Sequence, residues 1–258
     1  MLFNYYWVSI PKDGNDEKEN EDAVALMPGR HQQQLTKFRC VVADGATQAS
    51  FSRLWANILV NNAIKGYLTP SINKYENVVK QSCEEWNSDI EKLDLSWFAK
   101  EKVTRGAFST FLWIGMNTHK SQDFANLSAV SIGDTELIIV RNEKVIHAQP
   151  LGNSNDFNSS PMLISSKNEK NRDLRPNFSR VRVVPGDDVI LSTDALAKYL
   201  LSQYEMGINP LVTLEPLIWN EQDRYSFFKD WITTKRRARV LKNDDSTMVW
   251  IHLANSPS

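Results

Sequence analysis

Acidic residues stand where apolar runs stop. Val41-Val42-Ala43 ends in Asp44-Gly45, Val189-Ile190-Leu191 leads through Ser192-Thr193 to Asp194, and Asp244-Asp245 opens the run at Thr247-Met248-Val249. Glu21-Asp22 precede Ala23-Val24-Ala25-Leu26, and Asp134 follows Ile132-Gly133. An ionised carboxylate is costly to desolvate, and several together repel. Strand ends facing one cleft hold that arrangement with cations present, and hard oxygen ligands suit Mg²⁺ or Mn²⁺. Gly45 permits a tight turn and lets a backbone carbonyl approach an ion. Each piece also has a plainer reading. Asp44-Gly45, Asp134 and Asn243-Asp244-Asp245 suit turns, and Asp194 suits the N-cap of a following helix.

Other chemistries find less support. The two cysteines, Cys40 in an apolar run and Cys83 in a helical pattern, read as buried free thiols, with no CxxC spacing for zinc. The four histidines, His31, His119, His147 and His252, are scattered, with no pair at metal-ligand spacing. A formal net charge of -1 gives no electrostatic case for nucleic acid or an acidic membrane. The basic cluster Lys235-Arg236-Arg237-Ala238-Arg239 reads as a solvated face or loop. The N-terminus shows no basic-then-apolar signal, and no apolar run is long enough to span a bilayer, so a reducing, cytoplasmic setting is expected.

The elements that must position the carboxylates follow from periodicity. Strands are expected at 2–10, 38–43, 107–117, 127–132, 136–140, 145–148 and 247–253. A helix after Ser50 as N-cap carries Phe51, Leu54, Trp55, Ile58 and Leu59 on one face and ends near Gly66. A second helix, 75–93, buries Val79, Ser82, Cys83, Trp86, Ile90 and Leu93. Turns at Gly133-Asp134-Thr135 and 141–144 predict a meander of short antiparallel strands. Residues 152–180 predict a long loop, 181–192 a hairpin around Pro185-Gly186, and 195–203 a helix. At 258 residues with no linker and no repeat, a single α+β domain over 1–258 is expected, two packed antiparallel sheets with helices outside.

The order of these pieces resembles the metal-dependent Ser/Thr protein phosphatases of type 2C, the PPM family, in their bacterial form. The matching stretches are Asn20-Glu21-Asp22-Ala23, Val42-Ala43-Asp44-Gly45, Ile132-Gly133-Asp134-Thr135, Pro185-Gly186-Asp187-Asp188 with Leu191-Ser192-Thr193-Asp194, and Asp244-Asp245-Ser246-Thr247-Met248-Val249. The resemblance implies a β-sandwich of two antiparallel sheets flanked by α-helices (αββα). It implies that Asp44 bridges two Mg²⁺ or Mn²⁺ ions. Glu21 and the Gly45 carbonyl would complete one site, and Asp194 and Asp244 the other. Asp22 would hold the nucleophilic water, and Asp134 would ligate a third, weaker ion. The loop at 152–180 would be a flap that helps choose substrates. The substrate class would be phosphoserine and phosphothreonine in a protein, with a cognate Ser/Thr kinase, and neither nucleic acid nor membrane as partner.

The sequence departs from that pattern in three places. The family's phosphate-binding Arg before the Glu-Asp pair is missing, and Lys18 is the nearest cation, either a point charge for phosphate or a solvated surface lysine. Ala46-Thr47-Gln48 after Asp44-Gly45 offers no histidine acid, and Ala195 stands where the family has Gly after Asp194. These departures leave two other readings beside an active protein phosphatase. One is a pseudophosphatase that grips phosphoprotein without turnover, and the other is a hydrolase of small phosphoesters.

Overall fold

The computed structural model describes residues 1–27, 37–46, 51–65, 68–118, 123–157, 160–218 (backbone alone for 215–218) and 223–255. In chain order the strands are β1 (Leu2–Ile10), β2 (Ala23–Met27), β3 (Lys37–Ala43), β4 (Phe108–Ser109), β5 (Phe111–Thr118), β6 (Ala125–Ile132), β7 (Glu136–Arg141), β8 (Lys144–Gln149), β9 (Ile164–Ser165), β10 (Asn177–Val183), β11 (Asp188–Ser192) and β12 (Ser246–Ala254). The helices are α1 (Ser52–Lys65), α2 (Ile72–Glu91), α3 (Trp97–Arg105), α4 (Asp194–Glu205), α5 (Pro210–Ile218) and α6 (Arg224–Arg237). They form two compact units interleaved in sequence. One holds Met1–Asn20, Glu136–Ser159 and Val184–Ser258, and the other Glu21–Thr135 and Ser160–Val183.

The first unit is built on an antiparallel sheet in the order β1-β12-β11-β7-β8. Strand residues alternate between faces. Val8, Ile10, Ile138, Val140, Ile190, Met248 and Trp250 therefore share one side, and they pack with Leu196, Leu200, Phe228 and Ile232 of the helices. The β7–β8 hairpin closes at Asn142 and Glu143, both with positive φ, the two-residue geometry that matches strand twist. The second unit carries the sheet β10-β6-β5-β3-β2. Its apolar face, Val41, Ala43, Trp113, Val130 and Ile132, is covered by Trp55, Ile58 and Leu59 of α1 and Val79, Cys83 and Trp86 of α2, at the 3–4 residue spacing of a buried helical stripe. Cys40 and Cys83 are buried free thiols, and burial pushes the Cys83 thiol up to about 12.

Several expectations are corrected. Gly133-Asp134-Thr135 does not turn a meander. β6 and β7 belong to different sheets, and the turn carries the chain from one unit to the other. The 181–192 hairpin does not form for the same kind of reason, since β10 pairs with β6 while β11 pairs with β12 and β7. The strand expected at 107–117 breaks at Thr110 into β4 and β5. Leu93 lies beyond α2 and is exposed. α3, α5 and α6 were not expected from periodicity. Ser50, Gly66, His31 and His119 lie outside the described residues. The 152–180 segment is tied down in pieces. β9 pairs with β4, Trp55 Nε1–H donates to the Ile164 carbonyl at 2.9 Å, and Asn171 brackets Ser165 with two hydrogen bonds of 2.8 Å. Among the described residues no helix is long and apolar enough to cross a membrane.

Candidate active site

In the unit carrying β2 and β3, Asp44 follows the last residue of β3 and is half-buried. Its backbone is clasped by Thr110. The Asp44 N–H donates to Thr110 Oγ1 at 3.0 Å, and the Asp44 carbonyl accepts from the Thr110 N–H at 2.9 Å and from the Ser109 hydroxyl at 2.8 Å. The break between β4 and β5 thus falls where Thr110 turns to hold Asp44. Thr110 also shares a hydrogen bond with the Thr135 hydroxyl, so one buried side chain ties the Asp44 backbone to the turn bearing Asp134. Asp134 is buried there, and the preceding Gly133, at φ +92, has no room for a side chain, because a Cβ would lie 2.7 Å from Thr110 Cγ2.

Gly45 is equally confined. Its N–H donates to the Glu21 carbonyl at 3.3 Å, and a Cβ would meet that oxygen at 2.9 Å and Ser52 at 3.0 Å. The end of β3 therefore lies against the segment leading into β2, which places Glu21 beside Gly45 through the backbone. Glu21 and Asp22 are both half-buried.

In the other unit, Asp194 and Asp244 are brought together. Thr193 follows β11 as the N-cap position of α4, and it bonds Thr247 twice, N–H to the Thr247 carbonyl at 3.1 Å and Oγ1 from the Thr247 N–H at 3.0 Å. Asp194 is the first residue of the helix and accepts from the Ala195 N–H. That side-chain contact leaves the other carboxylate oxygen to face Lys242. Lys242 Nζ lies 3.0 Å from Asp194 Oδ2 and 2.6 Å from Asp244 Oδ2. Burial works against the ammonium, but hydrogen bonds and charge from Asp244 and Asp194 outweigh it, so the Lys242 pKa is raised.

Behind the Asp244 turn lies Arg236. Expected to face solvent, it is buried instead. Its guanidinium donates to the Pro11 carbonyl at 2.8 Å, to Asp13 at 3.0 Å, to Ser246 Oγ at 3.1 Å and to the Asp244 carbonyl. Only the basic neighbours Arg237 and Arg239 remain exposed. Asp245 accepts the Lys12 N–H at 2.8 Å and Asn243 the Asp13 N–H at 2.8 Å, so the residues flanking Asp244 anchor the segment after β1. Lys18 sits in an exposed turn of that segment, its N–H donating to Asp16 Oδ1 at 2.7 Å.

The donor chemistry fits a hard divalent cation. Asp194 and Asp244 present carboxylate oxygens to one ammonium, and Asp44, Glu21 and the Gly45 backbone gather at the β2–β3 end of the other sheet. Among the described residues no group of three or more His, Cys, Asp or Glu is close enough to hold an ion on its own. Thr110, Arg236 and Lys242 escaped sequence reasoning. Thr110 lay inside an expected strand, Arg236 lay in the basic cluster read as a solvated face or loop, and Lys242 lay in a polar stretch without periodicity.

The sequence model of protein phosphatase 2C matches residues 15–242. This chain belongs to that family. It is therefore a protein phosphatase, a hydrolase. Solved structures with the same fold include the serine/threonine phosphatase of S. agalactiae, at 15% identity over 98% of this chain and 100% of that one, with a TM-score of 0.59. The Mycobacterium tuberculosis serine/threonine phosphatase PstP/Ppp follows at 14% identity, 99% and 100% coverage and a TM-score of 0.57. A PstP catalytic domain in complex with two manganese ions matches at 12% identity, 98% and 100% coverage and a TM-score of 0.55. No curated protein matches the chain.

Proposed function

We propose that this phosphatase hydrolyses phosphoserine and phosphothreonine in proteins with Mg²⁺ or Mn²⁺ as cofactor, and that residues 1–258 act as one phosphatase domain in the cytoplasm. The observation that carries this is the pair Asp194 and Asp244, two carboxylates from the ends of β11 and β12 that share one cation, in a chain of the type 2C family. The related PstP domain that holds two manganese ions supports the choice of cofactor.

In this reading Asp44 would be the carboxylate that serves both ions. Glu21 and the Gly45 carbonyl would hold one of them, Asp194 and Asp244 the other, and Asp134 a third. When bound, the ions supply an activated water and neutralise charge on the phosphoryl oxygens. Asp22 would accept a hydrogen bond from the attacking water and orient it. Lys18, on its exposed turn, offers a point charge to the incoming phosphate. The segment 152–180 borders the substrate as a flap. Water attacks phosphorus, the ester P–O bond breaks, and the serine or threonine oxygen leaves with a proton. The partner is a phosphoprotein made by a Ser/Thr kinase.

The test is hydrolysis of a phosphothreonine peptide and of a small phosphoester, each with and without Mn²⁺. The proposal expects metal-dependent turnover of the peptide that Asp44→Asn abolishes. Metal-independent turnover, or turnover surviving Asp44→Asn, would refute it. A preference for the small ester would move the substrate class.

A further inference from the structure

Lys242 sits on the two carboxylates that the proposed function gives to a metal ion. One ammonium contacts both Asp194 Oδ2 and Asp244 Oδ2, at 3.0 and 2.6 Å. Oxygen ligands of Mg²⁺, Mn²⁺ and Ca²⁺ lie at roughly 2.0–2.6 Å. A divalent ion held by the same two oxygens would have to replace the ammonium on them. The two carboxylates carry two negative charges, and the lysine removes one. Its side chain is 61% exposed, against 18% for Asp194 and 28% for Asp244. The lysine thus reaches the pair from solvent and can return to it, while the carboxylates stay fixed by Ala195 N–H, by Asp245 N–H and by the Arg236 grip on the Asp244 backbone.

We propose that Lys242 is an internal counter-ion for Asp194 and Asp244 that competes with the divalent cation and sets the metal concentration at which this half of the site fills. The proposal rests on the assignment of those two carboxylates as metal ligands. Two consequences follow. Without metal, the ammonium suppresses repulsion between the carboxylates and stabilises the turn. With metal, it must leave, and metal affinity is reduced by the strength of its two ion pairs. Exposed ion pairs are individually weak, so the penalty is about tenfold in affinity.

The test uses the full chain and Mn²⁺ alone, by titration calorimetry at fixed pH and ionic strength, on the wild type, K242M, K242Q and K242R. The proposal expects K242M and K242Q to bind Mn²⁺ about tenfold more tightly than wild type, with K242R within about threefold of it. It also expects K242M to melt below wild type in EDTA, and that deficit to vanish at saturating Mn²⁺. Binding by K242M alone would be the same effect carried further. Equal Mn²⁺ affinity in all four proteins would overturn the role of Lys242 and leave the metal site standing. Absence of Mn²⁺ binding in all four would overturn both.

Discussion

Arg236→Met tests how the Asp244 turn is held. Met keeps the length of the apolar stem and removes the guanidinium. The arginine side chain is 2% exposed, so its acceptors cannot all be rescued by bulk water. Two of them are the backbone carbonyls of Pro11 and Asp244, and a third is the buried Ser246 hydroxyl. The ion pair with Asp13 contributes little, because Asp13 is 44% exposed. Hydrogen bonds to a charged donor are worth about 1.5–3 kcal/mol each, so losing the two carbonyl bonds costs about 4 kcal/mol. For a chain of this size that is a fall of roughly 10 °C in Tm. The assay is thermal unfolding followed by circular dichroism in EDTA, with Asp13→Ala as the control expected to cost under about 1 kcal/mol. The reasoning fails if Arg236→Met melts within about 2 °C of wild type. It also fails if Asp13→Ala costs as much, because the surface ion pair would then carry the effect.

Gly45→Ala forces a methyl to within 2.9 Å of the Glu21 carbonyl, and overpacking of this kind costs about 1–3 kcal/mol, measurable by urea denaturation together with a loss of phosphatase activity. Thr110→Val keeps the shape but strands the Asp44 N–H and the Thr135 hydroxyl, at a cost of about 1–3 kcal/mol in the same assay. The pH dependence of stability should carry a signature of Asp188. Its pKa is raised, first by burial and then by neighbouring Asp187, against the lowering effect of His252 and Trp250. A raised carboxylate stabilises the fold fully below its unfolded pKa, and that contribution is lost as pH climbs through the window above it. Asp188→Asn should therefore flatten the fall in stability from pH 4 upward, by at most about 1.4 kcal/mol per pH unit, as read from denaturation midpoints across pH. A slope unchanged in the variant would refute the assignment.

Local pattern and connectivity were not equally legible. Strands with apolar runs and helices with an apolar stripe were readable, because burial of one face leaves a period of 2 or 3.6 in the sequence. β1, β3 and β12 and the stripe Trp55, Ile58, Leu59 of α1 are of this kind. α3 has no buried residue, so it leaves no stripe to read. Strand pairing was misread where a turn-like sequence moves the chain between sheets. Gly133-Asp134-Thr135 and Pro185-Gly186-Asp187 have turn chemistry, and turn chemistry does not say which sheet receives the next strand. Asp187 shows the physical reason for the second case. It is fully buried, it accepts the Val184 N–H, and it takes a bidentate ion pair from Arg141, so it fixes β11 against β7 rather than against β10. Of the candidate site, the carboxylate identities came from the sequence, while the groups that aim them did not. Thr110 and Arg236 act on backbone atoms across 66 and 225 residues of separation, which no local pattern encodes.

Asp244 is held from two directions by two kinds of cation. Arg236 grips its carbonyl from the interior, and Lys242 grips its carboxylate from solvent. The two have opposite consequences for an incoming ion. The buried guanidinium contacts Asp244 at its backbone carbonyl. It fixes the turn, and that preorganisation favours any ligand of the carboxylate. An exposed ammonium on the carboxylate itself must be displaced, and it disfavours the ion by the strength of the pairs it makes. Removing Arg236 should therefore weaken Mn²⁺ binding and removing Lys242 should strengthen it, although both substitutions delete one positive charge near Asp244. A simple field effect predicts the same sign for both, because losing any nearby positive charge favours a cation. Opposite signs in the two titrations would thus separate a built metal site from general electrostatics. Tighter binding in both variants would show that Arg236 contributes charge alone and no positioning.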